Sequence, residues 1–187
     1  MRKVIFAMNM SLDGFIEGRD GDLSWSNPDD ELFKHFLDLD ASMDLHFVGR
    51  RLYQNMAAFW PTVEDNYATS ALEKEYSRVW KKIPKVVVSR SLEKVEWNST
   101  LLRDNLEAEV KKYKSLPGGD MSVAGAELAA SFLQLGLVDE FQVYIHPVII
   151  GEGKPMFQRL SKQIKLQLVE TRAFGSGVVL LKYKVLP

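Results

Sequence analysis

The chain of 187 residues has the length of one globular domain, and its 46% of hydrophobic residues is enough to build a core. Its 24 basic and 25 acidic residues nearly cancel, which disfavours a general nucleic-acid or anionic-membrane surface but leaves room for a local anion pocket. The chain has no cysteine, which excludes disulfides and thiolate metal sites, and no N-terminal apolar segment of signal-peptide or membrane-span length. We therefore expect a single cytoplasmic domain over residues 1–187.

The first predicted elements are a buried strand, a long loop and a helix. Residues 3–9 form a nearly continuous apolar run, which is typical of a strand buried on both faces. The loop over 11–28 has a length at which loops are often functional. Asn27 suits the N-cap of the following helix, and Pro28 suits its first turn.

A pattern typical of phosphate pockets follows the second predicted strand, 45–48. Gly49 comes directly after this strand, and Arg50 and Arg51 then open a helix. The glycine lets a ligand approach the backbone, and the helix start offers unpaired N–H groups and a positive dipole end. Two guanidinium groups add charge with bidentate geometry. The pattern predicts an anion site, and the alternative is a solvated basic helix start.

Capping residues and apolar runs predict the remaining elements. Ser70 and Glu73 form a capping box for a helix that ends near Lys81, Asp104 caps a second helix, and Gly125 opens a third. The predicted strands cover residues 85–89, 121–124, 140–150, 164–174 and 178–185. Glycines at 175 and 177 indicate a hairpin between the last two strands.

Strands therefore alternate with helices until an antiparallel ribbon closes the chain, which predicts a mostly parallel sheet covered by helices. Ligands of such sheets bind beyond the carboxyl ends of the strands. Three of these ends carry chemistry suited to a dinucleotide with an extra phosphate, and they are Gly49-Arg50-Arg51, Ser89-Arg90 and Ala124-Gly125-Ala126-Glu127. They do not follow the G-x-G-x-x-G pattern, so the predicted phosphate cradle is of another kind.

Seven short motifs, taken in order, identify a resemblance over nearly the whole chain. They are MSLDGFI at 10–16, GDLSW at 21–25, VGRR at 48–51, VVSR at 87–90, VAGA at 123–126, GLVDE at 136–140 and PVIIGEG at 147–153. The set resembles the dihydrofolate reductase superfamily, and more closely the reductase domain of the bifunctional riboflavin-biosynthesis deaminase-reductase. The resemblance implies a three-layer α/β fold with a central mixed, mostly parallel sheet and a C-terminal antiparallel hairpin.

The resemblance also implies NADPH as the cofactor. Ten residues match the family's segments around the cofactor phosphates and the nicotinamide, and Glu127 directly follows the last of these segments. With Glu127, the implied cofactor-binding residues are Ala7, Ile16, Gly49, Arg50, Arg51, Ser89, Arg90, Ala124, Gly125, Ala126 and Glu127. In dihydrofolate reductases the bond that matches Ala124–Gly125 is cis, so we expect a cis bond here.

The start of the first helix matches the segment that carries the pterin-binding carboxylate, so Asp30 or Glu31 is the implied catalytic acid. Helix capping is the alternative role of these acids, and an ordered water is the alternative proton source. Ala124 stands where riboflavin-pathway reductases carry a glutamate, and Leu52 where a threonine is usual.

The implied function is an NADPH-dependent reductase that transfers hydride to a small heterocyclic or carbonyl substrate, such as a pterin or the ribosylamino-pyrimidine of riboflavin biosynthesis. The alternatives are a non-catalytic nucleotide- or pterin-binding module, and a structural domain whose arginines form salt bridges. We expect a homodimer that forms through apolar strands near the C-terminus and binds neither nucleic acid nor membrane. We expect no metal, because the three histidines are too scattered for a ligand motif.

Overall fold

The computed structural model describes residues 1–157 and 163–187, which form two sheets and five α-helices. The strands are β1 (Val4–Ser11), β2 (Phe15–Glu17), β3 (Leu45–Gly49), β4 (Lys85–Val88), β5 (Ser99–Leu102), β6 (Met121–Ala124), β7 (Glu140–His146), β8 (Lys154–Pro155), β9 (Leu166–Ala173) and β10 (Val179–Val185). The helices are α1 (Asp30–Ala41), α2 (Arg50–Val63), α3 (Ala71–Lys82), α4 (Leu106–Ser115) and α5 (Ala126–Gln134).

The large sheet has eight strands in the order β5-β4-β3-β6-β1-β7-β10-β9. The first six strands in this order, from β5 to β7, pair with their neighbours in parallel, whereas β10 is antiparallel to both β7 and β9. Strands β2 and β8 form a separate antiparallel pair. The predicted fold class, a mostly parallel sheet closed by a C-terminal antiparallel hairpin, is confirmed.

Successive side chains of each strand point to opposite faces, and this alternation separates two helical layers. On one face Phe47 of β3 packs against Phe132 of α5 and Tyr113 of α4, with ring centroids 5.3 and 5.7 Å away. On the other face Val48 packs with Tyr53 of α2, while α1 covers β7 and β10 and α3 packs on α1 and α2. The face covered by α1, α2 and α3 is the one that borders the main cleft of the molecule.

Local details differ from the sequence predictions where several capping residues compete. Helix α1 is capped by the Asp29 carboxylate, which accepts from Leu32 N, and not by Asn27. The N-cap of α4 is Asn105 in a left-handed conformation, so the prediction of Asp104 as the cap was wrong. The Ser70–Glu73 capping box is confirmed.

Two strand predictions also needed correction. The short strand β5 was not predicted, because its run of four residues has a weak apolar pattern. Strand β7 ends at His146, immediately before Pro147, which has no N–H group for a ladder. No helix in the described parts of the chain is long and apolar enough to cross a bilayer.

Candidate active site

A cleft of about 860 Å³ lies at the carboxyl ends of the parallel strands, on the face covered by α1, α2 and α3. Its volume is within the range of small-molecule and cofactor pockets. All the residues that the resemblance implied around the cofactor line this cleft, and they are Ala7, Ile16, Gly49, Arg50, Arg51, Ser89, Arg90, Ala124, Gly125, Ala126 and Glu127. The fold therefore brings these residues together, and their role as cofactor ligands stays a prediction.

Two helices begin at the wall of this cleft without a side-chain cap. The N-cap residues are Gly49 for α2 and Gly125 for α5, and neither helix start has a capping hydrogen bond from a side chain. The two starts are neighbours, because a Cβ built on Gly125 would lie 3.6 Å from Gly49 N. Two sets of unpaired N–H groups and two positive dipole ends thus converge at one place, which suits a bound anion.

The reasons for a glycine differ between positions 49 and 125. Gly125 has φ +98°, a conformation that residues with a Cβ rarely adopt, so the turn itself requires glycine. Gly49 has φ −72°, and a Cβ there would meet Leu128 Cβ at an ordinary 3.5 Å. The protein's own packing does not require glycine at 49, whereas close approach of a ligand to the backbone would.

The described peptide bonds include no cis bond, so the expected cis bond at Ala124–Gly125 was wrong. The positive φ of Gly125 turns the chain from β6 into α5 instead. The turn still places the start of α5 beside Gly49.

Three arginines stand around the converging helix starts, and all are exposed. Arg51 lies 3.3 Å from the Glu127 carboxylate, and Arg90 lies 3.2 Å from that of Asp104. These pairs are open to solvent, so each contributes little to stability and can exchange its partner for a ligand phosphate. Arg50 contacts only Gln54 among the hydrogen bonds of the described residues, at 3.5 Å.

Ser89 follows β4 and is nearly buried. Its hydroxyl oxygen accepts hydrogen bonds from Ser91 N and Leu92 N at 3.2 and 3.1 Å, which fixes the turn after the strand. Because the oxygen acts as the acceptor in both bonds, the hydroxyl hydrogen remains available to donate to an anion in the cleft.

A hydrogen-bonded chain of polar side chains runs along the sheet beneath the cleft. Gln142 Nε2 donates to Glu140 at 2.9 Å, Tyr144 Oη donates to Gln142 Oε1 at 3.1 Å, and His35 Nε2 lies 2.9 Å from Tyr144 Oη. Burial opposes ionisation of Glu140, but the bond from Gln142 and two lysine charges lower its pKa below the ordinary value. An ionised Glu140 orients the amide of Gln142, and the chain thereby fixes Tyr144, which lines the cleft.

The two acids predicted to be catalytic lie elsewhere. Asp30 is exposed at the first turn of α1, and neither it nor Glu31 is among the residues that line the cleft. Glu31 accepts from Arg172 and from Gly175 N at 3.0 and 2.9 Å, and the bond from Gly175, followed by that from Arg172, lowers its pKa. Glu31 therefore fastens α1 to the C-terminal hairpin, and a catalytic role for either acid stays a prediction.

Three carboxylates do line the cleft, those of Glu17, Asp40 and Glu127, and Asp40 lies there beside Tyr76 and His46. Sequence reasoning did not select Asp40, Tyr76 and His46, which come from α1, α3 and β3. One signal was present in the sequence: an acid in the last turn of a helix opposes the helix dipole, and α1 has no basic residue in its last turn.

Comparisons with known proteins agree with this architecture. The chain is 37% identical, over 97% of its length and 94% of the relative's, to the uncharacterised protein YyaP of Bacillus subtilis strain 168. A provisionally named riboflavin biosynthesis protein from Shewanella sp. PV-4 has a similar structure, with a TM-score of 0.79, 20% identity and 99% of each chain covered. Dihydrofolate reductase from Enterococcus faecalis, solved with NADP(H) and RAB-propyl, gives a TM-score of 0.64 at 12% identity, with 98% of this chain and 96% of that one covered.

The two structural likenesses establish the fold, and the family follows from the sequence. A family model described as the RibD C-terminal domain matches residues 2–180, which is nearly the whole chain. This protein belongs to the RibD C-terminal domain family.

Proposed function

We propose that this protein is an NADPH-dependent reductase that transfers hydride to a small heterocyclic or carbonyl substrate, in the cytoplasm. The substrate class includes pterins and the ribosylamino-pyrimidine of riboflavin biosynthesis. The nicotinamide would supply the hydride, and the protein would bind the phosphates, orient the two reactants and exclude water.

The observation that carries this proposal is the meeting of two uncapped helix starts at Gly49 and Gly125 within one large cleft. A pyrophosphate group satisfies several N–H groups at once, which a single water molecule does not. The cleft volume of about 860 Å³ leaves room for a second ligand beside part of a dinucleotide. The dihydrofolate reductase of the same fold was solved with NADP(H), which supports this choice of cofactor.

A preference for NADPH over NADH follows from Arg50, Arg51 and Arg90, which all line the cleft. The 2′-phosphate of NADPH would replace the acids that now face Arg51 and Arg90. Each charge-assisted contact to this phosphate contributes about 1.5–3 kcal/mol before solvent screening reduces it.

The family and the name of the Shewanella relative support a riboflavin-type pyrimidine substrate. Ala124 lies in the cleft, however, where the riboflavin-pathway reductases carry a glutamate. The carboxylate at this position in those enzymes is therefore replaced by a methyl group in this chain. This difference is the reason to keep the wider substrate class of small heterocycles and carbonyl compounds.

The alternative is a nucleotide- or pterin-binding module without turnover. It is favoured by the position of Asp30 and Glu31, which are not among the residues lining the cleft. A binding module would keep the glycines and arginines of the phosphate site and would need no proton source near the nicotinamide.

Turnover measurements separate the two functions. The purified protein is incubated with NADPH and a panel of dihydropterins, ribosylamino-pyrimidines and small aldehydes and ketones, and oxidation of NADPH is followed by absorbance. The reductase predicts substrate-dependent oxidation by at least one member of the panel. NADPH binding without oxidation by any member would favour the binding module, and the absence of NADPH binding would contradict both the reductase and a nucleotide-binding module.

We also propose that the protein is a homodimer. Strand β9 is the edge of the large sheet and is exposed on both faces, with Leu168 and Val169 exposed by 52% and 58%. An exposed apolar edge strand favours pairing with another chain. Sedimentation equilibrium at micromolar concentration should give about twice the monomer mass of 21.3 kDa, and a value near 21.3 kDa would contradict the dimer.

A further inference from the structure

The cleft extends away from the phosphate site into a region that we call the inner lobe, which is lined by Phe33, Asp40, His46, Trp60 and Tyr76. Tyr76 joins these residues, because its ring centroid lies 4.4 Å from that of Trp60 and 5.8 Å from that of Phe33. Its hydroxyl donates to Asp40 Oδ2 at 2.6 Å. The inner lobe thus combines flat aromatic walls with one carboxylate.

Asp40 has acceptor capacity that the described residues do not use. Tyr76 occupies Oδ2, whereas Oδ1 lies 3.9 Å from His46 Nε2, which is too far for a hydrogen bond. The side chain is 25% exposed, so the carboxylate remains accessible from the cleft. Its position in the last turn of α1 opposes the helix dipole, so capping does not explain it.

His46 is the second unused acceptor. Its side chain is nine-tenths buried, and Nε2 is the buried side-chain atom without a hydrogen-bond partner in the described residues. Burial lowers the pKa of His46, the nearby Asp40 charge opposes this, and Lys85 adds to it. The neutral imidazole is therefore the form that the surroundings favour, and a neutral ring presents a bare nitrogen when its other nitrogen carries the proton.

We infer that the inner lobe binds a planar aromatic group bearing an amine or amidine, whose N–H donors reach Asp40 Oδ1 and His46 Nε2 while its ring packs against Trp60 and Tyr76. This inference rests on the proposed function in one respect: the group would be part of the substrate that shares the cleft with the cofactor. It assigns recognition to the end of α1 opposite Asp30 and Glu31. A planar donor pair matches two acceptors 3.9 Å apart, and a carbonyl at either position would meet an acceptor.

Benzamidine and benzamide are a matched pair of probes for this site. Both are planar and of the same size, but benzamidine has two N–H donor groups and a positive charge, whereas benzamide replaces one donor by a carbonyl. The titrations use the wild-type protein without NADPH, and binding is followed by NMR shifts of the tryptophan indole N–H signals. We expect benzamidine to bind at least about tenfold more tightly than benzamide.

The Asp40→Asn variant should bind benzamidine at least about tenfold more weakly than the wild type, because the charge-assisted bond is lost. Asp38→Asn is the matched control, since Asp38 lies on the same helix, pairs with Lys34 and is not a lining residue of the cleft. This control should retain full benzamidine binding. Circular dichroism and thermal unfolding show whether each variant is folded.

A second variant keeps the inference testable if Asp40→Asn does not fold. Tyr76→Phe removes the hydroxyl from Asp40 but keeps the carboxylate, so benzamidine should bind at least as tightly as in the wild type. Equal binding of the two probes by the wild type, binding of neither, or unchanged benzamidine binding by Asp40→Asn would overturn the inference.

Parallel NADPH titrations distinguish this inference from the proposed function. Asp40→Asn should bind NADPH as the wild type does, because Asp40 lies in the last turn of α1, whereas the starts of α2 and α5 form the proposed phosphate site. If the protein discriminates between the probes but does not bind NADPH, the inference about the inner lobe is supported and the proposed reductase is contradicted. If it binds NADPH but does not discriminate between the probes, the inference about the inner lobe is contradicted and the proposed cofactor is supported.

Discussion

The starts of α1 and α3 differ from those of α2 and α5 in how their free N–H groups are satisfied. The Asp29 carboxylate accepts from Leu32 N at the start of α1, and Ser70 and Glu73 close α3 with a reciprocal capping box. Helices α2 and α5 begin at glycines that offer no side chain to their N–H groups.

Among these four helices the difference corresponds to location, although α4 also begins without a side-chain cap, at Asn105, and contributes no lining residue to the cleft. The two glycine-started helices meet in the wall of the cleft, and neither Asp29 nor Ser70 is a lining residue. A capping side chain would occupy the space that an anion needs. The protein's own side chains cap α1 and α3, whereas α2 and α5 keep free N–H groups at the wall of the cleft, which is what the proposed phosphate site requires.

The largest expected effect is that of Gly125→Ala. A Cβ at φ +98° strains the turn by about 1–3 kcal/mol and redirects the start of α5. NADPH binding should be lost and the unfolding temperature should fall. Gly14→Ala is the matched control, because Gly14 has φ +93° but does not line the cleft. It should lower stability and leave NADPH binding unchanged, and equal loss of binding in both variants would contradict the assignment.

Gly49→Ala should affect binding without affecting the fold. The backbone at Gly49 has φ −72°, and the added methyl group would contact Leu128 Cβ at 3.5 Å, so stability should change by less than about 0.5 kcal/mol. The methyl group would hold a phosphate away from the N–H groups, and the NADPH dissociation constant should rise more than about tenfold. Calorimetric titration and thermal unfolding measure the two quantities, and unchanged affinity would argue against a phosphate at Gly49.

Arg90→Gln should raise the NADPH dissociation constant about tenfold and leave that of NADH nearly unchanged, because only NADPH carries the 2′-phosphate. Arg78→Gln is a suitable control, since Arg78 is an exposed arginine that pairs with Glu64 and does not line the cleft. An equal effect of Arg90→Gln on both cofactors would show that Arg90 does not contact the 2′-phosphate.

The smallest effect on binding is expected at the capped helices. Asp29→Ala and Ser70→Ala should each lower the free energy of unfolding by about 1 kcal/mol, because each leaves helix N–H groups without a partner. NADPH affinity should not change. Urea unfolding measures the free energy of unfolding. Weaker NADPH binding by either variant would contradict the claim that only the starts of α2 and α5 bind the cofactor.

The residues of the proposed phosphate site could be selected from the sequence because each part of the pattern is local. A glycine after an apolar run and arginines at a helix start can be recognised in a few residues, as at Gly49 and Arg50. The exact caps were less accessible, since Asn27 and Asp29 are both good capping residues and only the path of the chain selects one.

The inner lobe was not predictable in the same way. Asp40, His46 and Tyr76 lie on three elements and become neighbours only when α3 packs on α1. No spacing rule connects them, and His46 alone is indistinguishable from an ordinary buried histidine. The hydrogen-bonded side chains at Tyr144 could not be predicted from sequence for the same reason, because they join His35 of α1 to strand β7.

The most direct test of the account is a calorimetric titration of the wild-type protein with NADPH and with NADH at equal ionic strength. The helix starts at Gly49 and Gly125 predict that both dinucleotides bind, and the three arginines predict that NADPH binds at least about tenfold more tightly. This preference should narrow as salt is added, since the arginines are exposed. Equal affinities, or binding of neither dinucleotide, would contradict the account.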